Sequence, residues 1–131
     1  MPEFAQLLHD PGLRRRWRWL LVVMMAATSW LAFMPSEPKP DALPHVDKLQ
    51  HAAAFAALAA VAALAAADPR RAWPVGLSLL GYGLFVELVQ AWLPTRHGDL
   101  LDLLADGAGI LLGLALVRQS RRRWPRASSL G

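Results

Sequence analysis

The stretch LQHAAAFAALAAVAALAAA, residues Leu49–Ala67, decides how this chain folds. Its length is close to the roughly 20 residues with which a helix crosses a hydrocarbon core of about 30 Å. A helix on the surface of a soluble protein needs a polar face, and beyond His51 this stretch offers none. The stretch therefore predicts a transmembrane helix.

Three further apolar segments of similar length flank it, and the breaks between the segments contain Pro, Asp, Arg and Gly. No segment alternates as a barrel strand would, and lipid admits only helices or closed barrels. We therefore predict an all-α fold, a four-transmembrane-helix bundle, with a soluble helical bundle as the alternative. The predicted parts are a basic N-terminal segment at 1–16, a transmembrane domain at 17–117 with helices at about 17–34, 49–67, 73–93 and 100–117, and a basic tail at 118–131.

Composition supports this class, because 55% of the 131 residues are hydrophobic and only 18% are charged. The chain has no cysteine, which excludes a disulfide framework and a thiolate metal site.

The basic residues predict the orientation, because cytoplasmic loops of membrane proteins are rich in Lys and Arg. With four spans, both termini and the DPRRA loop share one side, which we expect to be cytoplasmic in the inner membrane of a bacterium. That side carries Arg14, Arg15, Arg16, Arg18, Arg70, Arg71, Arg118, Arg121, Arg122, Arg123 and Arg126, against Lys39, Lys48 and Arg96 on the other. The tail RQSRRRWPR is then a stop-transfer flank, and no nucleic-acid partner is expected.

The start of the chain has two interpretations. RRRWRW before an apolar run resembles a signal peptide, and Ala26-Ala27-Thr28-Ser29 offers small residues for cleavage. The apolar run continues to Met34, which favours an uncleaved signal-anchor.

The unusual polar residues all fall towards the extracytoplasmic side in this topology. His51, Glu87 and Asp106 each lie about two turns inside a different helix, at a common depth on the order of 10 Å. Charged groups at that depth are costly unless they are paired, neutralised or wetted. We therefore expect a polar pocket that opens outward, with candidate residues Asp47, Lys48, His51, Glu87, Gln90, Arg96, Asp99, Asp102 and Asp106.

Two glycines complete one of these helix faces. Asp99, Asp102, Asp106, Gly109 and Gly113 recur every three or four residues and form one stripe. Gly109 and Gly113 are expected to let a neighbouring helix approach closely.

Structural roles for single residues remain open alternatives. Asp99 suits the N-cap of the fourth helix, and Arg96 can snorkel to lipid phosphates. His51 and Gln90 can serve only as hydrogen-bond partners between helices.

Three short motifs resemble the VanZ-like family of small bacterial membrane proteins. They are DKLQH (Asp47 to His51), ELVQ (Glu87 to Gln90), and Arg96 followed by Asp102, Asp106, Gly109 and Gly113. The family pattern has Asn where this chain has Asp106, so the chain adds a titratable acid and loses an amide donor. The resemblance implies a role in the cell envelope, and the family's namesake lowers susceptibility to the glycopeptide teicoplanin.

Three functions fit these residues. The leading hypothesis is that the pocket binds a lipid-linked or cell-wall precursor headgroup, with Lys48 and Arg96 meeting phosphate. The second is a membrane-embedded enzyme that acts on a lipid phosphate through a metal or through acid and base groups. The third is a structural or partner-binding membrane subunit. The sequence does not identify catalytic residues, metal ligands or the oligomeric state, and no cofactor is predicted. The expected partners are the lipid bilayer and an envelope lipid or cell-wall precursor.

Overall fold

The computed structural model describes residues 8–36, 45–66 and 68–125, and these residues are helical with short connections. The four long helices are α1 (Pro11–Phe33), α2 (Val46–Ala66), α3 (Ala72–Trp92) and α4 (Leu100–Arg123). A single 3₁₀ turn, Pro69–Arg71, links α2 to α3. The all-α prediction is confirmed. Lys39, Arg126, 1–7 and 126–131 lie outside the described residues.

Two helices are longer than the hydropathy pattern predicted. Helix α1 begins at Pro11 rather than near Trp17, because Asp10 caps it by accepting a hydrogen bond from the Gly12 N–H at 2.7 Å. Helix α4 continues to Arg123 rather than ending near Val117, since the arginines that follow favour a helix and suit its negative end. The basic flanks at 11–16 and 118–123 are therefore helical.

Helices α2 and α4 form the most extensive interface of the bundle. The alanines of α2 leave room there, and α4 contributes Gly109 and Gly113. A side-chain carbon at Gly109 would overlap the carbonyl oxygen of Ala52, and one at Gly113 would overlap that of Ala56. Only glycine permits the two backbones to lie this close, as expected for small residues between membrane helices.

The described part of the bundle encloses an apolar core around Phe55 and Leu58 together with a few buried polar side chains, and its outer faces are apolar. Its buried polar residues are Glu87, Gln90, Asp102 and Asp106. Large apolar side chains are exposed along the outer faces of the helices, among them Leu77, Leu84, Leu88, Leu104, Leu111, Leu112 and Leu116. Water would penalise this arrangement, whereas lipid tails would solvate it.

Within the described residues, three helical segments are long and apolar enough to cross a membrane: Val46–Ala66, Pro69–Trp92 and Leu100–Arg123. They give the chain the character of a membrane protein. Helix α1 is not among them, because its first half carries Arg14, Arg15, Arg16 and Arg18 and its apolar part is correspondingly shorter.

Candidate functional site

The polar residues gather at the end of the bundle where α1 and α3 end and where α2 and α4 begin. Helix α2 contributes Lys48 and His51 from its first two turns, and α3 contributes Glu87 from its last turns. Helix α4 contributes Asp102 and Asp106, and Asp99 precedes its first residue. Segments distant in sequence thus supply one cluster of ionisable side chains.

His51 lies at the centre of this cluster. Its Nδ1 and Asp106 Oδ1 share a hydrogen bond of 2.8 Å. Glu87 Oε1 lies 3.9 Å from the same nitrogen, and Asp102 Oδ2 lies 3.7 Å from His51 Nε2. The structure therefore brings together the three residues expected at a common depth and adds Asp102 to them.

Glu87 is held by the loop that leads into α4. Its Oε2 accepts a hydrogen bond of 2.8 Å from the backbone N–H of Asp99. The Asp99 side chain accepts another, also of 2.8 Å, from the Leu101 N–H and so caps α4. Asp99 therefore has the expected capping role and also orients Glu87 through its backbone.

An outer layer surrounds Lys48. Its ammonium group donates to Asp47 at 2.9 Å, to Asp99 at 2.8 Å and to Asp102 at 2.8 Å. The hydrogen bond from Lys48, assisted by the Leu101 N–H, holds the pKa of the Asp99 carboxyl below its ordinary value. The positive charge of Lys48 is thus balanced by the neighbouring carboxylates.

Exposure falls steadily from the outer layer to the inner one. The exposed fraction of the side chain is 60% for Asp47, 40% for Asp99, 21% for His51 and 0% for Asp106. A solute that approaches this end of the bundle can therefore reach His51, while Asp106 forms the floor of the cluster.

Gln90 and Arg96 point away from the cluster, towards the end of α1. Gln90 Nε2 donates to the Ala32 carbonyl at 3.0 Å. Arg96 donates to the carbonyls of Leu31 and Met34, each at 2.9 Å. Both side chains satisfy carbonyls at the C-terminal end of a helix, which have no partner within the helix itself. Gln90 thus makes the hydrogen bond between helices that was its structural alternative, whereas Arg96 contacts backbone carbonyls and the expected contact with lipid phosphate stays a prediction.

Sequence reasoning missed a second link between α1 and α3. The Tyr82 hydroxyl donates to the Met25 carbonyl at 3.0 Å and lies 2.7 Å from the Ser29 hydroxyl. Its only signal in the sequence was that Tyr82 is the single tyrosine of the chain and stands in an apolar segment.

An open apolar groove of about 530 Å³ runs beside α1, and its lining contains none of the residues of the polar cluster. Its lining residues belong to the second half of α1 and the residues that follow: Ala26, Ser29, Trp30, Phe33, Met34 and Pro35. None of them is ionisable, so the groove adds no chemistry to the site.

The side chains of the cluster are of the types that bind polar ligands, transfer protons or coordinate metal ions. Carboxylates accept hydrogen bonds from hydroxyl and ammonium groups, and a histidine beside a carboxylate can transfer a proton. His51, Glu87 and Asp106 each offer one ligand atom, and the three atoms lie within 4.8 Å of one another. These residues could therefore also hold a metal ion.

No curated protein and no solved structure matches the chain. The VanZ/LLP1 family model matches residues 13–121, which include all four helices apart from their outermost residues and every residue of the polar cluster. The chain belongs to the VanZ/LLP1 family.

Proposed function

We propose that this protein spans the cytoplasmic membrane of a bacterium four times, with both termini in the cytoplasm. The arginines support this topology: Arg70 and Arg71 lie in the turn after α2, and Arg118–Arg123 end α4. Both groups are at the end of the bundle opposite the polar cluster. Positive charge is retained on the cytoplasmic side, so the cluster faces outward.

The function that the site supports best is binding the polar headgroup of an envelope component, a lipid-linked or cell-wall precursor. The observation that carries this proposal is the convergence of His51, Glu87, Asp102 and Asp106 at one end of the bundle. Ionisable groups in a membrane domain are expensive, so such a group of them indicates a functional site.

The contacts within the cluster favour headgroups that carry hydrogen-bond donors. Lys48 is already surrounded by carboxylates, and Arg96 is engaged with carbonyls of α1. The groups left to receive a ligand are mainly carboxylate oxygens, which bind the hydroxyl groups of sugars and the ammonium groups of amino headgroups. A sugar- or amine-bearing headgroup therefore suits the site better than a bare phosphate.

Exchange of Glu87 tests this proposal. Binding such a headgroup at the outer surface would change how much precursor is available to a glycopeptide, so expression in a susceptible bacterium should alter teicoplanin susceptibility. Glu87→Gln keeps an acceptor for the Asp99 N–H but removes the charge. We expect it to abolish the change in susceptibility and the retention of lipid-linked precursor by purified protein, measured by native mass spectrometry.

The matched control is Asp68→Asn, because Asp68 only caps the 3₁₀ turn at the opposite end of the bundle. It should behave as the unmodified protein, and all variants should be compared at equal abundance in the membrane. A Glu87→Gln protein that retains precursor and changes susceptibility in full would contradict the proposal.

The His51–Asp106 pair favours a second candidate function, an enzyme acting on a lipid phosphate. His51 is partly exposed while its carboxylate partner is fully buried, which is the arrangement of an oriented acid–base group. Release of inorganic phosphate from lipid phosphates or diphosphates by purified protein, lost in His51→Gln, would support this candidate. No turnover on either substrate class would count against it.

A further inference from the structure

Two buried carboxylate oxygens in the cluster lack a hydrogen-bond partner among the described residues. They are Glu87 Oε1 and Asp106 Oδ2. Their side chains are only 8% and 0% exposed. An unpaired buried carboxylate oxygen costs several kcal/mol unless a cation or a donor satisfies it. Asp106 Oδ2 lies against Gly83 of α3, whereas Glu87 Oε1 lies beside His51 Nδ1. Glu87 Oε1 therefore points to a ligand that the contacts within the protein do not supply.

The spacing of the ligand atoms matches one metal ion. Ligand atoms about 2.1 Å from a shared ion lie about 3.0–3.4 Å from one another. His51 Nδ1 lies 2.8 Å from Asp106 Oδ1 and 3.9 Å from Glu87 Oε1, so shifts of about 0.5 Å bring these two distances into that range. The three ligand atoms all lie within 4.8 Å of one another. The three residues come from α2, α3 and α4, so they surround the space between the helices.

Asp102 and the Asp99 backbone lie where the outer partners of a metal ligand set are found. A histidine that binds a metal through one ring nitrogen usually donates from the other to a carboxylate. Here His51 Nε2 faces Asp102 Oδ2 at 3.7 Å, and Asp102 Oδ1 accepts from Lys48 at 2.8 Å. On the other side, the Asp99 N–H holds Glu87 Oε2 and leaves Oε1 directed at His51.

Charge and donor type indicate the class of ion. Two carboxylates and a neutral histidine carry two negative charges, which a divalent cation neutralises. The imidazole nitrogen favours a transition metal such as Zn²⁺ or Mn²⁺ over Mg²⁺ and Ca²⁺, which prefer oxygen ligands alone. Three protein ligands also leave coordination positions for water or for a ligand oxygen.

We propose that His51, Glu87 and Asp106 form a binding site for one divalent transition-metal ion, with Asp102 and the Asp99 backbone as outer partners. This inference rests on the proposed function, since the ion would occupy the same cluster. Asp106 is the residue at which this chain differs from the Asn of the family pattern, and the difference supplies the second carboxylate of the ligand set. A bound ion would also give this carboxylate-rich site a position for an anionic group such as a phosphate.

Calorimetric titration of the purified, chelator-treated protein in detergent with ZnCl₂ or MnCl₂ tests the site. We expect one ion per chain and a higher unfolding temperature when the ion is present. Asp106→Asn preserves the acceptor for His51, and Glu87→Gln preserves that for the Asp99 N–H. Each should weaken binding by more than about 100-fold, while Asp102→Asn should weaken it by about 10-fold to 100-fold, as for an outer partner.

Asp68→Asn is the control and should bind the ion as the unmodified protein does, and circular dichroism should show equal helicity for all variants. Three results would overturn the inference. The first is no binding of Zn²⁺ or Mn²⁺ at millimolar concentration, and the second is preferential binding of Mg²⁺ or Ca²⁺. The third is unchanged metal affinity in Asp106→Asn and Glu87→Gln. If the protein binds no metal ion but Glu87→Gln loses precursor binding, the metal site is refuted and the proposed function still holds. Metal binding together with a fully active Glu87→Gln protein would refute the proposed function instead.

Discussion

At the scale of single residues, the helical spacing of His51, Glu87 and Asp106 was sufficient to predict that they meet. Depth within a helix follows from residue count, and a buried charge restricts which face turns inward. The hydrogen-bond partners of the long side chains of Lys48 and Arg96 could not be predicted from spacing. Lys48 and Arg96 lie near helix ends, where flexible stems reach several acceptors, so the sequence alone did not distinguish carboxylates, carbonyls and phosphate as their partners.

Lys48 should stabilise the fold, since it is the cation shared by Asp99 and Asp102. Lys48→Met keeps the length of the stem and leaves these carboxylates without their ammonium partner. We expect a loss of about 1–3 kcal/mol in the free energy of unfolding, because Asp102 is mostly buried while Asp99 is screened by water. Thermal or denaturant unfolding in detergent would measure the loss.

Two further variants make this prediction specific. Asp47→Asn should cost less than about 0.5 kcal/mol, because Asp47 is 60% exposed. Adding Asp102→Asn to Lys48→Met should restore part of the lost stability, because it removes the uncompensated buried charge. If Lys48→Met unfolds at the same temperature as the unmodified protein, the ion-pair account of the outer layer is wrong.

At the scale of the helices, the apolar segments predicted how many long helices there are and roughly where they lie. The ends were less accurate, because hydropathy changes at Arg14–Arg18 and at Arg118–Arg123 while the backbone remains helical. Local hydrogen bonds end a helix, and the Asp10 cap lies outside the apolar segment. Helix α1 is joined to α3 through Tyr82 and Gln90, and Arg96 from the loop after α3 donates to the carbonyl of Leu31.

The glycine stripe of α4 gives a prediction at this scale. Gly109→Ala places a methyl group against the carbonyl of Ala52, so α2 and α4 must separate. We expect a loss of about 1–3 kcal/mol in stability, as for overpacked interiors, measured by thermal unfolding in detergent.

Gly107→Ala is the matched control on the same helix, because an added carbon there lies 3.8 Å from Leu80, an ordinary contact distance. It should be neutral or slightly stabilising, since alanine favours a helix more than glycine does. Equal stability of the two variants would mean that α2 and α4 are not in close contact at Gly109.

At the scale of the whole molecule, the described bundle has an apolar exterior, a polar cluster at one end and arginines at the other. The segregation of charge along the chain predicts an orientation, because the positive-inside rule depends only on which loops carry Lys and Arg, and this orientation stays a prediction. The role of α1 as a fourth span was less determined by sequence, because its arginines shorten its apolar part. In the structure α1 packs against both α2 and α3, and its crossing of the membrane stays a proposal.

The most direct test of the central claim, that the polar cluster faces outward, is labelling of single cysteines in intact cells with a membrane-impermeant maleimide. The chain has no native cysteine, so each introduced thiol is the only target. His97→Cys lies in the exposed loop beside the cluster, and Pro125→Cys lies in an exposed position just beyond α4. We predict labelling of His97→Cys in intact cells and of Pro125→Cys only after lysis. The opposite pattern would place the cluster in the cytoplasm and contradict the account.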